Sequence, residues 1–230
     1  MEIDSSILDN KNSQVLYMDA LNFIKEHRLV SISRQVYGQD LLEAAKRILK
    51  SGIHCLEITF DQASKDCLKD TPSSIALIKK ELGDQICVGA GTVMTVDQAK
   101  AARDAGADFA LAPNVDIAVI HAIKTLNMVA VPGAFTPSEI ATAYNEGADI
   151  VKVFPAGTLG IDYIKAVRGP INHIPLMAVG GVSAQNVKAF LDNGCCSAGI
   201  GSNIINKKRA MAGAFDEIER AAAEFIKAIA

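Results

Sequence analysis

At 230 residues, with 50% hydrophobic and 21% charged positions, the chain can build one sizeable core without disulfide or metal staples. Its formal net charge of −3 offers no basic excess of the kind that nucleic acid or an anionic membrane surface demands, so neither is expected as a partner. No run reaches the ~18 apolar residues of a membrane span, and no composition break marks a second domain, so 1–230 is expected to form a single domain.

From the N-terminus, residues 1–14 are polar, carry Asp4 and Asp9 and lack the apolar core of a signal peptide, so they read as an extension. Tyr17–Arg28 predicts an extra helix ahead of the first strand. Eight short apolar runs then follow as candidate strands: Leu29–Arg34, Cys55–Phe60, Ile86–Thr92, Phe109–Pro113, Met128–Pro132, Ile150–Phe154, Pro175–Val179 and Ser197–Gly201. Most are Val, Ile, Ala and Leu with little alternation, as in parallel strands buried on both faces. Helical periodicity fills the intervals. Asp40–Ser51 sets Leu41, Leu42, Ala45 and Ile48 on one face, and Val96–Ala105 ends at Gly106. Thr136-Pro137 is a helix start, Ser183–Asn193 has Ser at the N-cap position, and Ala210–Ala230 reads as one long last helix. Regular βα alternation predicts a parallel sheet. Eight units in this length predict closure into a single (β/α)₈ TIM barrel with an extra N-terminal helix, and no G-x-G-x-x-G follows the first strand to favour a Rossmann sheet.

In such a barrel chemistry sits at the C-terminal ends of the strands, and two charged residues break the apolar pattern there. Lys152, flanked by Val151 and Val153, places an ammonium inside a buried strand, where burial drives it toward the neutral, nucleophilic amine. Glu57, in Cys55-Leu56-Glu57-Ile58-Thr59, falls on the barrel-facing side by alternation and reads as an acid/base partner. Arg34 ends the first strand with a guanidinium suited to a carboxylate. Thr92, beside Gly89 and Gly91, offers a hydroxyl and an amide, while Pro113 and Pro132 shape the rim. The last two strands end in Gly180-Gly181 and Gly201-Ser202-Asn203. Backbone amides there can cradle a phosphate, which barrels commonly hold after strands seven and eight.

Other polar residues read as structural. His27, His54, His121 and His173 are scattered without metal-ligand spacing, so no metal is expected. Lys79-Lys80 and Lys207-Lys208-Arg209 read as solvated surface. The five cysteines, Cys55, Cys67, Cys87, Cys195 and Cys196, lack C-x-x-C spacing and fit a reducing cytoplasm.

Taken in order, Leu56-Glu57-Ile58-Thr59, Gly89-Ala90-Gly91-Thr92-Val93, Ile150-Val151-Lys152-Val153-Phe154-Pro155, Val179-Gly180-Gly181-Val182 and Gly201-Ser202 resemble the class I 2-keto-3-deoxy-6-phosphogluconate (KDPG) and 4-hydroxy-2-oxoglutarate (KHG) aldolases. The resemblance includes the 6-phosphogalactonate branch and covers Leu29 to Asn203. It implies Lys152 as Schiff-base lysine and Glu57 as acid/base. It further implies a pyruvate site from Arg34, Thr92, Pro113 and Phe154, and a phosphate site at Gly180, Gly181, Gly201 and Ser202. No cofactor, a small keto acid as substrate and a homotrimer are also implied. Two departures stand out. Asp61 occupies the place where one branch carries a carboxylate-binding Arg, and Val179 replaces the Thr of many phosphogluconate enzymes, as in the 6-phosphogalactonate branch. Both bear on specificity. The alternative readings are a metal-independent phosphosugar isomerase or epimerase using Glu57 as base, and a catalytically dead binding barrel.

Overall fold

The structure, a computed structural model, describes residues 20–230. The 1–14 extension and the first three residues of the expected N-terminal helix lie outside the described residues. Residues 20–27 are helical (α1). There follow β1 (Leu29–Ser33), α2 (Gly38–Lys50), β2 (Cys55–Thr59), α3 (Cys67–Leu82), β3 (Cys87–Gly91), α4 (Val96–Asp104), β4 (Phe109–Leu111) and α5 (Ile117–Thr125). The second half holds β5 (Val129–Val131), β6 (Gly133–Ala134), α6 (Pro137–Asn145), β7 (Val151–Val153), α7 (Ala156–Arg168), β8 (Leu176–Val179), α8 (Val187–Asp192), β9 (Cys195–Ile200), α9 (Lys207–Met211) and α10 (Phe215–Ile229).

Every strand pairs in parallel, in the order β5-β4-β3-β2-β1-β9-β8-β7-β6. The expected fifth strand is split at Pro132, which has no N–H to give the ladder, so β5 and β6 are two halves of one path. That path closes the sheet. Ala112 N donates to Val131 O (3.2 Å) on one side, and Lys152 N to Pro132 O (2.9 Å) and Phe154 N to Ala134 O (3.0 Å) on the other. The result is the expected barrel of eight strand paths with helices outside. Alternate residues divide its apolar groups in two. Val30, Ile32, Phe109, Leu111, Val129, Val131, Met177 and Val179 fill the interior, while Leu56, Ile58, Val88 and Ala90 face the helices. α1 plugs the bottom, sending Ile24 into the interior cluster and setting the His27 ring against that of His54, tilted by 40° with centroids 4.4 Å apart.

Two helix expectations need correction. Residues 183–186 form a turn, and α8 begins only at Val187; Ser183 is not its cap, because the Asn186 carboxamide turns back to Ser183 N (2.8 Å) and Gly181 O (3.0 Å). The long last helix is broken into α9 and α10 at Gly213, whose φ of +67 cannot continue a right-handed helix. The Thr136-Pro137 start is a full capping box with Glu139. At the barrel bottom, Asp108 ties Lys79 (3.0 Å) to the Val88 amide (2.9 Å), fixing α3 against β3. Lys79 is thus an anchor rather than free surface.

Candidate active site

β2 and β7 lie four paths apart in the ring of eight, so Glu57 and Lys152 reach toward each other across the barrel axis. Glu57 is held in register between Ile32 and Gly89, and Lys152 between Gly133 and Met177. Their depth is unusual for charged groups: Glu57 is 1% and Lys152 3% exposed. Burial pushes the Glu57 carboxyl above the ordinary carboxylate range, against the pull of Lys152 and Arg34. Burial likewise brings the Lys152 ammonium below its ordinary value, opposed by Glu57 and helped by Arg34. Both shifts favour the uncharged forms. Among the described residues no hydrogen bond or ion pair joins the two, and Glu57 Oε2 is buried without a hydrogen-bond partner. An orphan acceptor of that kind calls for a functional reason. Lys152 Nζ sits 4.8 Å from the centroid of the Phe154 ring.

Glycines make the room. A Cβ at Gly91 would stand 1.7 Å from Glu57 Oε1, so the carboxyl group occupies the volume a side chain at 91 would take. Gly89 below it yields in the same way to the Phe109 ring. Gly133 is pressed against the Pro113 carbonyl (2.5 Å from a would-be Cβ), and Gly180 against the Phe154 ring (3.0 Å). Pro113 and Phe154 are therefore rim packing fixed by glycine contacts, on opposite sides of β7. None of the steric roles of Gly89, Gly91 or Gly133 is visible in the sequence beyond the glycines themselves.

Thr92 follows β3 in a left-handed conformation, φ +55, which is a genuine outlier for a β-branched residue. Arg34 is exposed at the exit of β1, near enough for its charge to act on both Lys152 and Glu57. Asp61, at the departure from the family pattern, accepts from Gln35 Nε2 (2.8 Å) and the Ala63 amide (3.1 Å), which holds it in the rim loop.

The loops after β8 and β9 form one surface. Gly180 and Gly181 have φ of +86 and +74, conformations that favour glycine, and the Gly157 amide at the start of α7 donates to Gly180 O (2.7 Å). Asn203 Nδ2 donates to Val182 O (2.9 Å), tying the Gly201-Ser202 loop to the Gly180-Gly181 loop. Nothing in the Gly201-Ser202-Asn203 pattern singles out Asn203, yet it is the clamp. Ser202 is exposed, and Gly201 has open space around it. Val179 is buried in the barrel interior and packs on Gly199, which leaves 3.0 Å between a would-be Cβ and a Val179 methyl. A hollow of about 300 Å³ at the opposite end of the barrel, beside Phe23, Lys79 and Cys87, holds no competing chemistry: Lys79 is tied to Asp108, and a hydrogen bond with Cys55, together with burial, pushes the Cys87 thiol up. Among the described residues no three His, Cys, Asp or Glu side chains gather as a metal site, and no helix is long and apolar enough to cross a membrane.

The sequence pattern of "KDPG and KHG aldolase" matches residues 21–221. The chain belongs to this aldolase family. It is 30% identical to the 2-dehydro-3-deoxy-6-phosphogalactonate aldolase of Escherichia coli, over 87% of this chain and 93% of that one. It is also 30% identical to the 2-dehydro-3-deoxy-phosphogluconate aldolase of Haemophilus influenzae, over 90% and 94%. The solved structure "Native KDPGal structure" superposes with a TM-score of 0.78 at 30% identity, covering 87% of this chain and 93% of that one. The aldolase is thus a carbon–carbon lyase on an α/β barrel, and these relatives do not support the isomerase or epimerase alternative.

Proposed function

We propose that the aldolase cleaves a 2-keto-3-deoxy-6-phosphoaldonate, of gluconate or galactonate type, into pyruvate and glyceraldehyde 3-phosphate through a Schiff base on Lys152. The observation that carries this is the pair of buried, oppositely disposed groups whose surroundings push both toward neutrality. Neutral Lys152 attacks the C2 ketone, and Glu57 moves the protons that let water leave. The cationic imine then accepts electrons as Glu57, directly or through a water, takes the C4-hydroxyl proton and the C3–C4 bond breaks. Glyceraldehyde 3-phosphate departs; the enamine is protonated at C3 and hydrolysed, returning pyruvate and the free amine. Arg34 and Thr92 hold the carboxylate, and Pro113 and Phe154 pack around the pyruvyl end. The amides of Gly180, Gly181, Gly201 and Ser202 take the phosphate, a role supported by the clamped loop pair. Val179 in place of a hydroxyl supports weaker discrimination at C4. 4-Hydroxy-2-oxoglutarate, which gives pyruvate and glyoxylate, is a slower substrate because it has no phosphate.

Incubation with pyruvate and borohydride, followed by digestion and mass mapping, tests the core of this: a reduced adduct on Lys152 is expected, and its absence would defeat the proposal. Assays on the two phosphorylated acids and 4-hydroxy-2-oxoglutarate, side by side, test the phosphate site; equal KM values would remove it. The reading extends to a cytoplasmic homotrimer. Five unpaired cysteines fit the compartment, and sedimentation equilibrium should give three times the 24.4 kDa of one chain.

A further inference from the structure

The turn at Thr92 is gripped by side chains that belong to no catalytic motif. Met94 N donates to Gln98 Oε1 (2.8 Å), Gln98 Nε2 to Gln62 Oε1 (2.9 Å), and Gln62 Nε2 to Thr92 O (2.8 Å). The chain of bonds starts and ends two residues apart and encloses the strained turn. Its direction is forced. The Met94 amide can only donate, so it fixes the Gln98 oxygen; the Gln98 amide nitrogen then fixes the Gln62 oxygen, leaving Gln62 nitrogen for Thr92. Gln98 is 4% exposed, one of few buried polar side chains, and its own N–H is taken by the Thr95 cap (3.2 Å). A T-x-x-Q pattern at a helix start normally sends the Gln side chain back to the cap residue's amide; here it is diverted one residue further, to Met94. From the other side, Val93 N donates to Leu111 O (3.0 Å). A left-handed, β-branched residue persists only when its surroundings over-determine it, and these bonds do so.

We propose that Gln98 and Gln62 are positioning residues: together they hold the Thr92 turn in its strained conformation and thereby set the affinity for the substrate carboxylate. The inference rests on the assignment of Thr92 to that carboxylate. The relay also explains how residue 62, an exposed position on the β2–α3 loop, can influence a group at the end of β3 without touching substrate.

The test compares Gln62→Met, Thr92→Val and wild type by the pyruvate concentration giving half-maximal borohydride-trapped adduct, with the maximal trapping rate measured in parallel. Gln62→Met is neutral, near-isosteric and at the surface, so it removes the bond to Thr92 without adding charge or emptying the core. Half-saturation is expected to rise about fivefold, the scale of one lost net hydrogen bond, with the maximal rate within about twofold. Gln98→Glu, assayed where the new carboxylate is ionised, faces oxygen with oxygen at Gln62 and should show a similar rise. Combining Gln98→Glu with Gln62→Lys supplies an ammonium that donates both to that carboxylate and to Thr92 O. The double variant should regain most of the affinity, a rescue that a merely structural role would not give. If Thr92→Val weakens pyruvate and Gln62→Met does not, the relay is overturned and the carboxylate assignment stands. If Thr92→Val leaves half-saturation unchanged, the assignment fails and the inference falls with it.

Discussion

Gly91→Ala is a sharp probe of how the site is built. The new methyl carbon would lie 1.7 Å from Glu57 Oε1, 2.5 Å from Cδ and 2.7 Å from Cγ. Ordinary contact needs ~3.4 Å or more, so the carboxyl group must retreat by well over 1 Å. It has nowhere neutral to go, because Glu57 is fully buried and Gly89 beneath it is already filled by the Phe109 ring. The backbone is not the obstacle: Gly91 is not among the positive-φ residues, and Ala suits a strand slightly better than Gly. The substitution therefore acts on the acid/base group alone. A misplacement of this size costs about 10²-fold in rate, whereas overpacking of one methyl costs about 1–3 kcal/mol of stability. Steady-state cleavage coupled to lactate dehydrogenase should show kcat/KM down about 100-fold in a protein whose Tm falls only by several degrees. Borohydride trapping with pyruvate should slow as well, since Glu57 also moves the protons of imine formation, but the adduct should still form on Lys152. Activity within threefold of wild type would refute the claim that Glu57, in this position, moves the proton.

The remaining predictions separate the two ends of the barrel. Lys152→Met combined with Glu57→Gln should abolish turnover yet raise stability by about 1–3 kcal/mol near pH 7, read as a Tm several degrees higher. The Glu57 carboxyl is raised, so wild type loses stability as pH climbs from 4.5 to its shifted value; the Lys152 ammonium is lowered, so stability returns as pH climbs from its shifted value to 10.5. The gain of the double variant should therefore be largest at neutral pH and shrink toward both extremes, and a flat or inverted profile would count against the pair. Asp108→Ala strips acceptors from Lys79 and the Val88 amide; calorimetry should show a loss of about 2–3 kcal/mol with unchanged kcat/KM at 25 °C. Asn203→Leu cuts the tie to Val182 O. It should raise KM about fivefold for phosphorylated substrates and leave that for 4-hydroxy-2-oxoglutarate unchanged.

Much of this was legible because barrel strands are short, apolar and buried on both faces. In Val151-Lys152-Val153 and Leu56-Glu57-Ile58 a single charge interrupts a run that packing alone would keep apolar, and period-two alternation then aims it inward. The same logic fixed the strand ends to within about two residues. Helix ends were harder, because side chains compete for them. Ser183 looks like a cap, but Asn186 captures its amide and delays α8 by three residues. Gly213 looks tolerable inside an Ala-rich stretch until its left-handed backbone breaks the last helix in two.

What the sequence conceals is the volume that one residue yields to another. Gly89, Gly91, Gly133 and Gly180 stand in motifs that could equally be read as phosphate or turn glycines, yet each makes room for a different group: the Phe109 ring, the Glu57 carboxyl, the Pro113 carbonyl and the Phe154 ring. Glycine is silent about its neighbour, since its contribution is space. A reactive pair can be buried this deeply only if its walls are thin, and thin walls carry no side-chain signature. The amine and the acid announce themselves as charges out of place, whereas the cavity that gives them function is assembled from positions where the chain has left atoms out.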